Sequence, residues 1–296
     1  MERDREMGTV NQPLNDFPDR IDDLAALEEL ISRPTPAVVE AVCRLEGDLM
    51  ILGAGGKMGP TLAMLAKRAA EAGGADKRVI GVSRFSQPGL AAKLQQAGIE
   101  TIACDLMAED GLAGLPDVPN MIYMVGHKFG ATGQEGRTWA INAFLPGRVA
   151  HRFRRSRFVV FSSGNVYPFT SVVHGNCTED TPPAPVGEYA QSVLGRERIF
   201  GHYAEQFGIA AVLFRLNYAV ELRYGVLLDI ARKVWAGDPI DLTVGHANVI
   251  WQGDANAYAL CSLALAECPP LVLNITGPEI LSVRALAFGP AIALFA

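Results

Sequence analysis

The stretch Leu49-Met50-Ile51-Leu52-Gly53-Ala54-Gly55-Gly56-Lys57-Met58-Gly59-Pro60 decides the fold. Four apolar residues in a row read as a strand buried on both faces. Glycines follow at 53, 56 and 59, and a helical pattern runs over 58–72. Pro60 falls in its first turn, where a missing N–H costs no intrahelical bond. The three glycines play different parts. Gly53 permits the tight turn, Gly56 lets backbone approach a pyrophosphate, and Gly59 lets helix pack on strand, leaving the helix N-terminus aimed at negative charge. Lys57 and Met58 stand inside the turn. A G-x4-G-K-[ST] phosphate loop is excluded, because Ile51 stands where its first glycine and Met58 where its hydroxyl residue would be.

Outward from this turn, short apolar runs at 78–82, 101–104, 121–125 and 158–161 alternate with helical patterns at 89–97 and 138–153. A long helix follows at 189–207, a strand at 210–214 and a helix at 225–235, then elements at 248–251, 255–266 and 272–275. The alternation predicts an α/β fold with a Rossmann-type, doubly wound parallel sheet. Two helical stretches, 21–32 and 36–45, are split by Pro34-Thr35-Pro36 and read as an N-terminal appendage over 1–45. The dinucleotide-binding domain is expected at 46–215. A small C-terminal substrate-binding region, interleaved with the last Rossmann elements, is expected at 216–296. Residues 285–296 carry no charge and end on Phe295-Ala296, which reads as a region shortened at its C-terminal end.

The 296 residues are 49% hydrophobic and 20% charged, with a net charge of -6 spread among interspersed acids and bases. This excludes a nucleic-acid footprint as the main role. The basic group His151, Arg152, Arg154, Arg155 and Arg157 reads as the complement of a helix C-terminus. Five scattered cysteines without a C-x-x-C pair exclude a disulfide framework and a zinc site, and His174, His202 and His246 have no ligand spacing. With no signal core and no long apolar run, the chain is expected to be cytoplasmic and to stay off membranes.

The cofactor is decided at the end of the second strand, where an acid would hold the adenosine ribose hydroxyls. Ser83-Arg84 stand there instead. A hydroxyl and a guanidinium suit a 2′-phosphate, and Lys57 offers a second cation, so NADP is preferred, with NAD as the alternative.

Further motifs follow in order. These are Asp105-Leu106 after the third strand, Asn142 in a helix, Phe161-Ser162-Ser163-Gly164-Asn165-Val166-Tyr167-Pro168, Pro185-Val186-Gly187-Glu188-Tyr189-Ala190-Gln191-Ser192 with Glu197 beyond it, and Arg215-Leu216-Asn217. Together with the glycine turn they resemble the extended short-chain dehydrogenase/reductase superfamily, in particular its NAD-dependent epimerase/dehydratase family, over most of the chain. The resemblance implies an enzyme that transfers hydride on a sugar or sugar nucleotide. Asp105 and Leu106 would contact the adenine, Asn142 would belong to the cofactor site, and Ser163 and Tyr189 would be the acid–base pair. Asn165, Asn217 and Arg223 would face substrate, and the helices at 138–153 and 189–207 would pair in a homodimer.

A tyrosine beside a serine hydroxyl can take or return the proton of a reacting carbinol. In the family a lysine four residues after the tyrosine lowers its pKa, and here that residue is Val193. An apolar side chain cannot stabilise a tyrosinate. Lys128, in Gly126-His127-Lys128-Phe129-Gly130, is taken as the substitute, with Arg196, on nearly the same helix face as Tyr189, as another. His127 is a further acid–base candidate. A second reading stands beside the enzyme: a binding protein that keeps the fold as sensor or partner subunit without turnover.

Overall fold

Strand β1 (Leu49–Leu52) is buried at every position. It pairs in parallel with β2 (Val79–Ser83) on one side and β4 (Asn120–Tyr123) on the other. The computed structural model describes residues 17–128, 132–173 and 175–288. With β3 (Glu100–Ala103), β5 (Arg157–Ser163), β6 (Ala211–Leu216) and β10 (Leu271–Ile275), it forms a seven-stranded sheet in the order β10-β6-β5-β4-β1-β2-β3, parallel throughout. The order reverses between β1 and β4. In open α/β sheets ligands bind outside the strand ends at such a switch point, which here lies between the glycine turn and the loop after β4.

Side chains alternate along β1: Leu49 and Ile51 enter one core, Met50 and Leu52 the other. Both faces therefore need helices. The first face is covered by α3 (Gly59–Ala72) through Leu62 and Leu65. The second is covered by α6 (Leu145–Arg152) and α7 (Glu188–Phe207) through Leu145, Val149 and Phe200.

The N-terminal helices join the first layer. Helix α1 (Leu24–Ile31) is capped by the Asp23 carboxylate, which accepts from Ala26 N at 2.8 Å, and α2 (Pro36–Arg44) starts at Thr35. Val38 and Val42 are fully buried in the same cluster as Leu49 and Ile51, and α2 packs on α3 and on α9 (Gln252–Ser262). The stretch read as an appendage is thus built into the core. Arg68 fastens it, donating to Glu29 O at 2.9 Å and to the Glu29 carboxylate at 2.7 Å. The readings of residues 1–16, of His174 and of the apolar end beyond 288 fall outside the described residues. Among the described residues no helix is long and apolar enough to cross a membrane.

The helix expected over 138–153 differs in one respect. It runs from α5 (Glu135–Trp139) through a π-helical turn at Ala140–Phe144 into α6. Pro146 explains the wide turn: without an N–H it cannot make the α-helical bond to the Asn142 carbonyl four residues back.

Gly59 seats α3 against the glycine turn. A Cβ there would stand 2.6 Å from both Cα and O of Ala54. Backbone cannot give way as a side-chain tip would, so Gly59→Ala is expected to cost about 1–3 kcal/mol by overpacking. Urea unfolding of the variant measures this, and an unchanged midpoint would contradict the packing role.

Candidate active site

The glycine turn leaves β1 with Gly53 N and Ala54 N both donating to Val82 O, at 2.9 and 3.1 Å. Gly53 has φ +97, and a side chain there would press on the backbone between Met124 and Val125. Gly56 N donates back to Gly53 O at 3.0 Å, closing the turn. A groove of about 380 Å³ runs across the strand ends, walled by Gly53, Gly56, Ser83, Arg84, Asp105 and Leu106 and continuing to Gly126 and His127. Gly55, which sequence reasoning passed over, is as constrained as its neighbours, because a Cβ would overlap Ser83 Oγ. Its signal was the run Gly55-Gly56, one glycine more than the spacing required. A glycine cradle under a groove that crosses the switch point fits a dinucleotide.

Most of the residues assigned to that ligand meet in this groove. Arg84 is exposed on its wall, Leu106 is buried beneath it, and the Asp105 carboxylate accepts from Met107 N at 3.0 Å. Met58 precedes α3 and packs against the core. Lys57 is placed differently. Its Nζ lies 4.7 Å from the centroid of the Tyr224 ring, and it lines a second hollow with Lys93 and Arg223, away from Arg84.

Ser163 ends β5 and is buried, its Oγ accepting from Asn165 N at 3.2 Å. Tyr189, in the first turn of α7, lies near the Ser163 hydroxyl. Burial pushes its phenol above the ordinary value; the Arg196 charge and the Ser163 hydroxyl pull it down, and Tyr218 adds to the rise. Lys128 Nζ stands over ring faces, 5.3 Å from the centroid of Tyr189 and 5.6 Å from that of Tyr218. Partial desolvation against these rings, and then the charge of Lys57, holds the Lys128 ammonium below its ordinary value. Lys57 is thus near enough for its charge to be felt at Lys128.

Behind this surface Asn142 is fully buried, with every polar position of its amide used. Its Oδ1 accepts from His127 N at 2.8 Å and from Arg196 at 3.1 Å; its Nδ2 donates to His127 O at 3.1 Å and to Ser192 Oγ at 2.9 Å. The assignment of Asn142 to the cofactor is therefore corrected. Its side chain has no group left for a ligand, and it fixes the loop carrying His127 instead. Val193, where the family lysine would stand, is sealed among Val166 and Tyr167.

Glu197 and Arg215, both motif residues, form a buried ion pair at 2.7 and 3.0 Å. Ser162 Oγ donates to Glu197, and the Tyr167 hydroxyl accepts from Arg215 at 2.8 Å. Burial opposes the Arg215 charge, but the hydrogen bond and charge of Glu197 raise its pKa overall.

On the expected substrate side, Asn165 is exposed just after Ser163. The Asn217 amide lies against Gly164, where any Cβ would collide with it. Arg223 is engaged elsewhere, donating to Glu221 at 3.0 Å and to Glu28 of α1 at 3.0 Å. Its guanidinium ties the N-terminal helix to the loop after β7 (Tyr218–Val220), because Glu28 lies within reach, a contact no spacing reveals.

A glycine cradle at a parallel switch point, with a serine and a tyrosine at the adjoining strand end, defines a Rossmann-type α/β protein. The chain belongs to the NAD dependent epimerase/dehydratase family, whose sequence profile matches residues 49–221. No curated protein sequence matches it significantly. Among solved structures it is similar to MoeE5 in complex with UDP-glucose and NAD, at 19% identity and TM-score 0.67, covering 81% of this chain and 79% of that one. It is also similar to UDP-glucuronic acid 4-epimerase from Bacillus cereus in complex with NAD, at 18% identity and TM-score 0.65, covering 80% and 81%. A third is dTDP-glucose 4,6-dehydratase from Bacillus anthracis str. Ames in complex with NAD, at 12% identity and TM-score 0.66, covering 81% and 80%. At these identities the likeness is one of fold.

Asn142→Ala removes four hydrogen bonds from a dry site and leaves their partners unsatisfied. It is expected to lower stability by about 2 kcal/mol or more. A denaturant midpoint equal to wild type would show that the amide is not the clamp described.

Proposed function

We propose that the protein is an NAD(P)-dependent oxidoreductase of the epimerase or dehydratase type acting on a nucleotide sugar. The observation that carries this reading is the placing of Tyr189 beside the strand end that holds Ser163, with the Gly126-His127-Lys128 loop running from the dinucleotide groove to the Tyr189 ring. Bound nicotinamide would supply the acceptance and return of hydride. The chain's own residues do the rest. Tyr189 takes the proton of a sugar hydroxyl and Ser163 holds that oxygen in line, while Asn165 and Asn217 border the strand end from which substrate would be met.

Lys57 and Lys128, over the rings of Tyr224, Tyr189 and Tyr218, make a cationic, aromatic wall. That chemistry suits a diphosphate and the apolar face of a sugar ring. It agrees with the UDP- and dTDP-sugars named for the similar structures. Ser83 and Arg84 at the tip of β2, with no carboxylate between them, favour NADP over the NAD bound in those structures. The buried Val193 favours a second reading, a dinucleotide-binding protein without turnover.

The test is a screen of UDP-glucose, UDP-glucuronic acid, UDP-galactose and dTDP-glucose with either cofactor, following product and reduced nicotinamide. Turnover that falls at least about a hundredfold in Tyr189→Phe is expected, as for loss of a general acid–base group. A wild-type protein that binds dinucleotide but converts none of the panel supports the second reading. Arg84→Ala is expected to weaken NADP and leave NAD unchanged; equal losses would remove the 2′-phosphate role.

The pH dependence has a definite sign. In alcohol oxidation the ionised phenol is the active form, and burial raises the phenol's pKa. The rate therefore climbs with pH through neutrality into the alkaline range and falls on acidification. A plateau already reached at neutral pH would contradict Tyr189 as the base.

A further inference from the structure

His127, in the loop after β4, is held from behind by buried groups. The Asn142 amide brackets its backbone, accepting from His127 N at 2.8 Å and donating to His127 O at 3.1 Å. Asn142 is fixed in turn by Arg196, which donates to its Oδ1 at 3.1 Å and its carbonyl at 3.2 Å, and to Phe161 O at 2.5 Å. The guanidinium stands close under the loop, since a Cβ on Gly126 would lie 3.2 Å from one of its nitrogens. The His127 ring is tied down as well. Its Nδ1 lies 3.0 Å from Oγ1 of Thr138, a fully buried residue of α5.

The direction of that last bond follows from what else Thr138 does. Its hydroxyl donates to Gln134 O at 3.1 Å, and a carbonyl can only accept, so the one hydroxyl hydrogen is used there. Oγ1 has lone pairs left for the ring, and Nδ1 must carry the proton. In a neutral imidazole Nε2 is then an acceptor. Both backbone groups and Nδ1 of His127 are committed to buried partners, yet the residue is partly exposed and lines the wall of the dinucleotide groove. Nε2 is the polar atom it has left for a ligand, and among the described residues no hydrogen bond engages it.

We infer that His127 is a cofactor-binding residue whose Nε2 accepts a hydrogen bond from a hydroxyl of the nicotinamide ribose. The inference rests on the dinucleotide reading of the groove. A fixed acceptor selects a donor, which rules out pyrophosphate oxygens and admits a sugar hydroxyl. Position along the groove selects the sugar. With Ser83, Arg84, Asp105 and Leu106 at the adenosine end and the glycine turn facing the pyrophosphate, His127 stands beyond that turn, at the end of the second nucleoside. Lys128, the next residue, lies over the Tyr189 ring, so the same loop runs on towards the site of the proposed chemistry.

The test uses wild type, His127→Phe, Thr138→Val and Thr138→Ser. Long-range proton–nitrogen correlation spectra under mildly alkaline conditions, with the ring assigned through its own backbone, show which nitrogen carries the proton. In wild type the proton is expected on Nδ1, and the Nε2 signal should move on adding ADP-ribose and stay in place with ADP, which lacks the second ribose. Calorimetry is expected to show that His127→Phe weakens NADP and ADP-ribose about threefold to tenfold, as for loss of one hydrogen bond, and leaves ADP within about twofold. Thr138→Val should lower the share of the Nδ1-protonated ring and weaken ADP-ribose, and Thr138→Ser, which keeps a hydroxyl, should restore both. A wild-type proton on Nε2 overturns the inference, as does an Nε2 signal indifferent to bound ADP-ribose, and neither result depends on a variant folding. Weakened UDP-glucose with unchanged ADP-ribose in His127→Phe would put the contact on the substrate sugar and overturns it too. Because binding needs no turnover, a protein silent toward every sugar leaves the role of His127 standing, whereas a wild type that binds neither NADP nor ADP-ribose sinks the dinucleotide reading and the inference with it.

Discussion

Beneath α7, Arg215 and Glu197 face each other at 2.7 Å, both almost wholly excluded from water. Dehydrating two charges costs several kcal/mol per ion, and their attraction offsets this only where geometry is good and the remaining polar positions are filled. Both conditions hold. Two nitrogens of Arg215 meet two oxygens of Glu197, Ser162 and Tyr167 take up further positions, and the Tyr167 hydroxyl donates on to Asn274 of β10 at 2.8 Å. The pair thereby joins β5, β6, β10 and α7 at one point. Because any slip of α7 would expose uncompensated charge, the helix has one position along the sheet. That position places Tyr189 against Ser163.

Arg196 occupies the same helix one residue earlier and meets the other wall, the Asn142 turn and the loop after β4. The site is thus held from two sides by buried guanidinium groups, one balanced by a carboxylate and the other by neutral dipoles. The dinucleotide groove needs no such charge pairing: its geometry comes from glycines whose missing side chains make room for backbone.

The sheet was legible because its signals are local. The apolar run of β1, the glycine spacing and the alternation of strand with helix each depend on neighbours in sequence, and together they point to a parallel sheet. Ser163 at the end of β5 and Tyr189 at the start of α7 were picked out through their resemblance to family motifs. What was not legible depends on contacts between distant segments. Arg223 was expected to face substrate, but Glu28, far away in sequence, holds it. Asn142 resembled a cofactor residue, but its amide is consumed by His127, Ser192 and Arg196. The N-terminal helices looked separate because a proline break resembles a linker, whereas Val38 and Val42 show where they pack.

In the proposed reaction Tyr189 and Ser163 direct hydride between a sugar carbon and nicotinamide. The most direct measurement is mass spectrometry of the sugar product formed when the protein, loaded with oxidised NADP, is incubated in ordinary water with UDP-glucose deuterated at one sugar carbon at a time. Because the nicotinamide returns the hydride it takes, wild type is expected to form product that keeps the deuterium of the carbon that is oxidised, and Tyr189→Phe almost no product. Wild-type product in which that deuterium has been replaced by solvent hydrogen would contradict the hydride transfer proposed.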